Sequence, residues 1–203
     1  MLDFDATLTV LEARGRFMQE ACEAVPSGMI AIVGASPEQL SELCAKTGCT
    51  VANVNSAAQQ VLSGSKEEIA AAATVAKELG IKRAIPLATA GAFHSKFMQP
   101  AREKLAPVLD GIAFCAPKMP VLSNVTGKPH SSDPAEIKAT MLEQVTGATN
   151  WAADVDAAKV LGCTRFVEFG PGKVLSGLVK KIDASLATVN VSDLASLDAA
   201  LCG

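Results

Sequence analysis

The chain of 203 residues has no tyrosine, one tryptophan and seven phenylalanines, so it offers no aromatic platform for stacking unpaired bases. Basic charge is short as well: 18 Lys and Arg against 21 Asp and Glu leave a net charge of −3. A nucleic-acid or anionic-membrane binder needs a basic field, and this chain has none. No apolar run reaches the roughly 18 residues that a membrane-spanning helix requires. The opening Met1-Leu2-Asp3-Phe4-Asp5 is acidic and has the character of neither a signal nor a transit peptide.

Metal-binding spacing is missing too. The six cysteines, Cys22, Cys44, Cys49, Cys115, Cys163 and Cys202, include no C-x-x-C pair, and the two histidines, His94 and His130, lie far apart. The cysteines read as small apolar fillers in a reducing compartment, with no metal site expected. Cys49 follows Gly48 in a turn and is expected to be the most exposed. Gly170-Pro171-Gly172-Lys173 lacks the G-x-x-x-x-G-K-[ST] spacing of a phosphate loop and reads as a tight strand-to-helix turn. No serine or cysteine sits in a G-x-S-x-G setting.

What the chain does have is 49% hydrophobic residues, enough for a sizeable core. Residues 5–22 read as a helix with Leu8, Val10, Leu11, Phe17 and Met18 on one arc and Glu12, Arg16 and Glu20 opposite. Arg14 falls inside the apolar arc. Either it snorkels at the edge of the stripe, or it forms a socket for a carboxylate, since a buried guanidinium needs an anion.

From Met29 to Leu87 the order is β-α-β-β-α-β, with helices started by Ser36-Pro37 and by Ser65-Lys66-Glu67-Glu68. Beyond Ser95, strands alternate with helices, which suggests a parallel, doubly wound sheet. The last helix is read as capped by Ser192. The fold class is therefore α/β.

Among candidate chemical groups His94 stands first. It lies just after a strand and before a helix, where α/β proteins place catalytic groups. Ala90, Gly91 and Ala92 before it are small enough to let a ligand approach. A histidine base also needs an acceptor for its other ring nitrogen, and no acidic residue is near in sequence. His130 lies in the polar turn Lys128-Pro129-His130-Ser131-Ser132 and reads as solvated.

Four segments recur in order: Glu12-Ala13-Arg14-Gly15-Arg16-Phe17-Met18-Gln19, Asn55-Ser56 with Gln59, Gly91-Ala92-Phe93-His94-Ser95, and Glu168-Phe169-Gly170-Pro171-Gly172-Lys173-Val174-Leu175. Together they closely resemble the malonyl-CoA:acyl-carrier-protein transacylases of type II fatty-acid synthesis, the plastid and cyanobacterial ones most. The resemblance covers essentially the whole chain. It implies a partial α/β-hydrolase-like parallel core over residues 1–26 and 88–203, with a ferredoxin-like subdomain inserted over residues 27–87.

It further implies malonyl transfer from coenzyme A, through a serine ester, to the phosphopantetheine thiol of acyl carrier protein. Those two are then the substrate and partner, with no cofactor, and the protein is expected to be a monomer of plastid stroma or cytoplasm. By the same resemblance Arg14 binds the malonyl carboxylate and His94 is the base. The main-chain carbonyl of Gln144 orients that histidine, Phe93 excludes an α-methyl group, and Asn55 and Gln59 line the thioester channel. Where the family has Asn-Pro-Val-Gln-Trp, this chain reads Gly147-Ala148-Thr149-Asn150-Trp151.

The family's Gly-His-Ser-Leu-Gly-Glu elbow would lie ahead of Met1 and is not in these residues. The chain by itself is therefore expected not to transfer malonyl, and the lost central strand should leave an apolar sheet edge. The alternatives are a non-catalytic homologue that binds carrier protein or malonyl thioesters, and an acyltransferase fragment of a polyketide synthase.

Overall fold

The computed structural model describes residues 1–202, and the side chain of Cys202 is outside the description. Helix α1 (Phe4–Ala24) begins where Asp3 accepts a hydrogen bond from the Ala6 amide at 2.7 Å. Its buried stripe is narrower than the sequence periodicity suggests. Val10, Ala13, Met18, Ala21 and Cys22 enter the core, whereas Leu8 and Leu11 are exposed. The reason is that α1 packs on α4 along one stripe, and Leu8 and Leu11 point away from it.

Strands β1 (Ser27–Val33), β2 (Thr50–Ser56), β3 (Gln59–Ser65) and β4 (Arg83–Leu87) form one sheet in the order β2-β3-β1-β4, every neighbouring pair antiparallel. Between them run α2 (Pro37–Thr47) and α3 (Lys66–Glu78). Both start with a reciprocal capping box, Ser36 with Gln39 and Ser65 with Glu68, which is why their starts were legible.

Alternation along the strands divides the apolar residues between two faces. Ile30, Ile32 and Leu62 meet Leu43, Ile69, Ala72 and Ala76 of the helices, while Met29, Ala31, Ala52 and Val61 face the other way, toward Phe93. Cys49 corrects an expectation: it is 3% exposed, because the left-handed Gly48 cap of α2 turns the chain back into the helix-side core. Among the described side chains, Cys115 and Cys163 are the exposed thiols.

A short 3-10 turn (Lys96–Met98) leads into α4 (Gln99–Asp110), which packs with α1 and α5 (Pro134–Thr146) around Met98, Leu105, Leu109, Ile137 and Val145. Strands β5 (Leu122–Ser123) and β6 (Lys128–Pro129) make a small hairpin, followed by α6 (Trp151–Val160). Then β7 (Arg165–Phe169), α7 (Val174–Ile182) and β8 (Ala187–Val191) form a parallel β-α-β unit. Helix α8 (Leu194–Cys202) ends the described chain. Its first turn is capped by Asp193, whose carboxylate accepts from the Ser196 amide at 2.8 Å, and not by Ser192.

The expected doubly wound sheet is thus limited, among the described residues, to the β7–β8 pair. Ile85 and Leu87 on β4 and Val167 and Phe169 on β7 are exposed apolar residues on these strands. Strand β2 is tied to the segment before α6: the Val54 amide donates to the Thr149 carbonyl and the Thr149 amide to the Ala52 carbonyl, each at 2.8 Å.

The turn at Gly170-Pro171-Gly172-Lys173 is held by Glu168. Its carboxylate accepts from the Leu175 and Ser176 amides at the start of α7, at 3.0 and 2.8 Å, and from the Asn190 side chain at 2.9 Å. These donors pull its pKa down to about 2. The turn is a helix start held by a side chain of its own strand.

Candidate active site

Residues 88–95 carry the chain from β4 to the 3-10 turn. Gly91 rests directly on α1: a Cβ there would stand 2.5 Å from Cys22 Sγ. Gly91 therefore serves a close approach of this loop to the helix. Three hydroxyls fix the backbone that follows. Ser27 Oγ accepts from the Ala92 amide at 3.0 Å, Ser63 Oγ donates to the Phe93 carbonyl at 2.6 Å, and Ser95 Oγ donates to the Ala92 carbonyl.

Held this way, His94 adopts φ = 55°, the only positive φ among the described non-glycine residues. That conformation is costly for a side chain with a Cβ and persists only where its surroundings over-determine it. His94 Nδ1 lies 3.1 Å from the main-chain oxygen of Gln144, near the end of α5. A carbonyl can only accept, so Nδ1 carries the hydrogen and Nε2 keeps its lone pair. Burial pushes the imidazole pKa below its ordinary value; the Gln144 carbonyl opposes the shift, and the charge of Arg14 adds to it. The net shift favours the uncharged ring.

Arg14 sits half-buried on α1, its Nη2 donating to Gln144 Oε1 at 2.9 Å. It has no carboxylate partner among the described residues, and burial lowers its pKa. Arg16, two residues on, is exposed, paired with Glu12 at 3.2 Å and laid over the Phe17 ring. Two arginines on one helix thus have opposite situations, and only Arg14 faces a cleft.

That cleft, of about 460 Å³, is lined by Arg14 and His94 together with Phe93, Met18, Met29 and Asn53. Its lining thus sets a guanidinium and an imidazole on one cleft. Among the described residues no cluster of three His, Cys, Asp or Glu could hold a metal.

The structure thus brings Arg14, Phe93, His94 and Gln144 together. Asn55 and Gln59 are not among the residues lining that cleft. Asn55 falls at a register break between the Val54–Gln60 and Ser56–Gln59 pairs. Gln59 accepts from Lys181 Nζ at 3.1 Å and lines a separate cleft with Val33, Arg83 and Ile182. His130 is half-buried, its amide bonded to the Val121 carbonyl, and is not among the residues lining the Arg14–His94 cleft.

Sequence reasoning missed Asn53, Ser27 and Ser63, and missed the side-chain bond from Gln144 to Arg14. Ser63 shares a strand face with the apolar Val61, a polar residue at an inward position, and that was the available signal.

No family model matches the chain. It is 38% identical to the malonyl CoA-acyl carrier protein transacylase of Bacillus subtilis over 98% of its own length and 64% of that protein's. To the crystal structure of an acyl-carrier-protein S-malonyltransferase from Burkholderia pseudomallei it is 38% identical with a TM-score of 0.90, covering 100% of this chain and 67% of that one.

The chain belongs to the malonyl-CoA:acyl-carrier-protein transacylase family. It spans 64–66% of the length of curated transacylases such as those of Bacillus subtilis and Escherichia coli. A further solved transacylase, described as a malonyl-transacylase in complex with a type II polyketide acyl-carrier protein, superposes with a TM-score of 0.91 at 36% identity, over 98% of this chain and 66% of that one.

Proposed function

We propose that this chain provides the base and the carboxylate socket of an enzyme moving malonyl from coenzyme A to the phosphopantetheine thiol of acyl carrier protein. The observation that carries the reading is the anchoring of Arg14 and His94 on one cleft by the same residue, Gln144.

Malonyl thioesters have two handles. The planar guanidinium of Arg14 takes the free carboxylate through paired hydrogen bonds, which an ammonium could not match. The thioester end is then left toward His94. As a serine hydroxyl attacks the thioester carbonyl, Nε2 of His94 takes its proton. Collapse of the tetrahedral adduct breaks the C–S bond, and the imidazolium returns the proton to the departing coenzyme A sulfur. In the second half the carrier thiol gives its proton to Nε2 and attacks the serine ester, and the proton returns to the serine oxygen.

No serine of these 203 residues has the elbow setting, so the nucleophile and its oxyanion donors belong to the complete active site and not to the residues placed here. Phe93 occupies volume that an α-methyl substituent would need. Asn55 and Gln59 enter as channel residues beyond the cleft, and Asn53 as the β2 side chain lining it.

Residues 27–87 read as a ferredoxin-like subdomain set between residues 1–26 and 88–203 of a partial α/β-hydrolase-like one. The β2-β3-β1-β4 order and the parallel β7–α7–β8 unit support that division. The protein is read as a monomer of cytoplasm or plastid stroma, with acyl carrier protein as its macromolecular partner. The solved transacylase–carrier complex supports that partner, and the free thiols suit a reducing compartment.

The test joins the 203 residues to a preceding segment carrying the Gly-His-Ser-Leu-Gly elbow and follows labelled malonyl from coenzyme A to holo carrier protein. Transfer by the joined protein and none by the 203 residues alone is expected. No transfer by a joined protein with a folded circular-dichroism spectrum, or transfer by the unjoined chain, overturns the proposal.

A further inference from the structure

The peptide linking Phe93 to His94 fixes the φ of His94, and its carbonyl oxygen is held by a residue of another strand. Ser63 on β3 donates its hydroxyl to the Phe93 carbonyl at 2.6 Å and is 1% exposed, so water cannot substitute for it. If that peptide turned over, ψ of Phe93 and φ of His94 would each change by about 180°. His94 would then move from the left-handed region to a φ of about −125°, which any side chain adopts without strain. The ring would swing with it and leave the Gln144 carbonyl.

We propose that Ser63 is a positioning residue: its hydroxyl blocks this peptide turnover and thereby fixes which nitrogen of His94 carries the proton. Two neighbouring bonds, Ser27 to the Ala92 amide and Ser95 to the Ala92 carbonyl, hold the preceding peptides but not the one that sets φ of His94. Ser63 alone among the three acts on it. A β-strand of the four-stranded sheet therefore sets the state of a base carried by the loop that follows.

The inference rests on reading His94 as the base, but its test needs no substrate, so it fails or stands apart from the transferase reading. Nitrogen-15 spectra of the histidine-labelled 203-residue chain report the neutral tautomer directly, with His130→Asn assigning the two rings. The parent is expected to show His94 with hydrogen on Nδ1. Ser63→Ala should lose that preference and show a mixture weighted to Nε2–H, the form favoured by a free imidazole. Val61→Ala, which removes packing from the same face of β3 but no hydrogen bond, should leave the tautomer as in the parent.

Should Ser63→Ala not fold, Ser63→Cys keeps nearly the same volume with a much weaker donor and is expected to shift the ratio in the same direction. An unchanged His94 tautomer in whichever of these variants folds, or an equal shift in Val61→Ala, overturns the proposal.

Discussion

Arg14 and Gln144, 130 residues apart in the chain, meet through a 2.9 Å hydrogen bond from Nη2 to Oε1. The bond occupies one corner of the guanidinium fork and leaves the rest free toward the cleft. Because the main-chain oxygen of Gln144 also lies 3.1 Å from His94 Nδ1, the proposed carboxylate socket and the proposed base share one anchor. The side chain and main chain of that anchor can be tested separately.

Gln144→Glu places a carboxylate where the amide oxygen now accepts, so it satisfies the Arg14 charge from within. In the elbow-joined protein, malonyl transfer should fall roughly tenfold to a hundredfold in kcat/KM, the scale of a hydrogen bond to a charged group. Transfer of acetyl, which has no carboxylate to lose, should fall far less. Equal losses for the two acyl groups would separate Arg14 from carboxylate recognition.

The acid side of the pH–rate profile reports His94. Its pKa is depressed by burial and further by the Arg14 cation, so the free base persists below the ordinary histidine range. Arg14→Met removes a positive charge that disfavours the imidazolium. The pKa should therefore rise and the acid limb of kcat/KM move to higher pH. A limb that stays in place, or moves down, contradicts the electrostatic coupling.

Phe93 is half-buried between the cleft and the Met29–Val61 face of the sheet. Phe93→Ser opens volume beside the substrate and should narrow the preference for malonyl over methylmalonyl thioester by about 1–3 kcal/mol, tenfold or more. The ratio of kcat/KM for the two substrates in the elbow-joined protein is the measurement. An unchanged ratio removes Phe93 from specificity.

Gly91→Ala should destabilise the fold by about 1–3 kcal/mol, because the new methyl group meets Cys22 Sγ at 2.5 Å. Cys22→Ala shortens that neighbour and should recover part of the loss when combined with it. Denaturant unfolding of the two single variants and the double variant gives the coupling directly. Strict additivity would show that the loop and helix do not press on each other here.

Much of this could be read from the chain because local chemistry and tertiary outcome agree. The capping boxes of Ser36 and Ser65 mark helix starts, and Arg14 among apolar residues announced an unusual guanidinium. What was illegible depends on long-range geometry. The exposure of Leu8 and Leu11 follows from which helix α1 meets, and periodicity alone does not say. Asn53 went unnamed because nothing in the residue pattern of β2 says that its side chain lines the cleft. Cys49 looked exposed because a turn glycine says that the chain reverses but not toward what. The Ser63 hydroxyl became meaningful only once Phe93, 30 residues away, was seen against it.

The antiparallel sheet is fastened at two separate places: β2 by reciprocal main-chain bonds to Thr149, and its interior by Ser27 and Ser63 to the loop bearing His94. One edge strand and both inner strands of the sheet are thus tied to segments outside it. The cleft lined by Asn53 and Arg14 is accordingly bounded on its sheet side by strands hydrogen-bonded both to the segment before α6 and to the loop bearing His94.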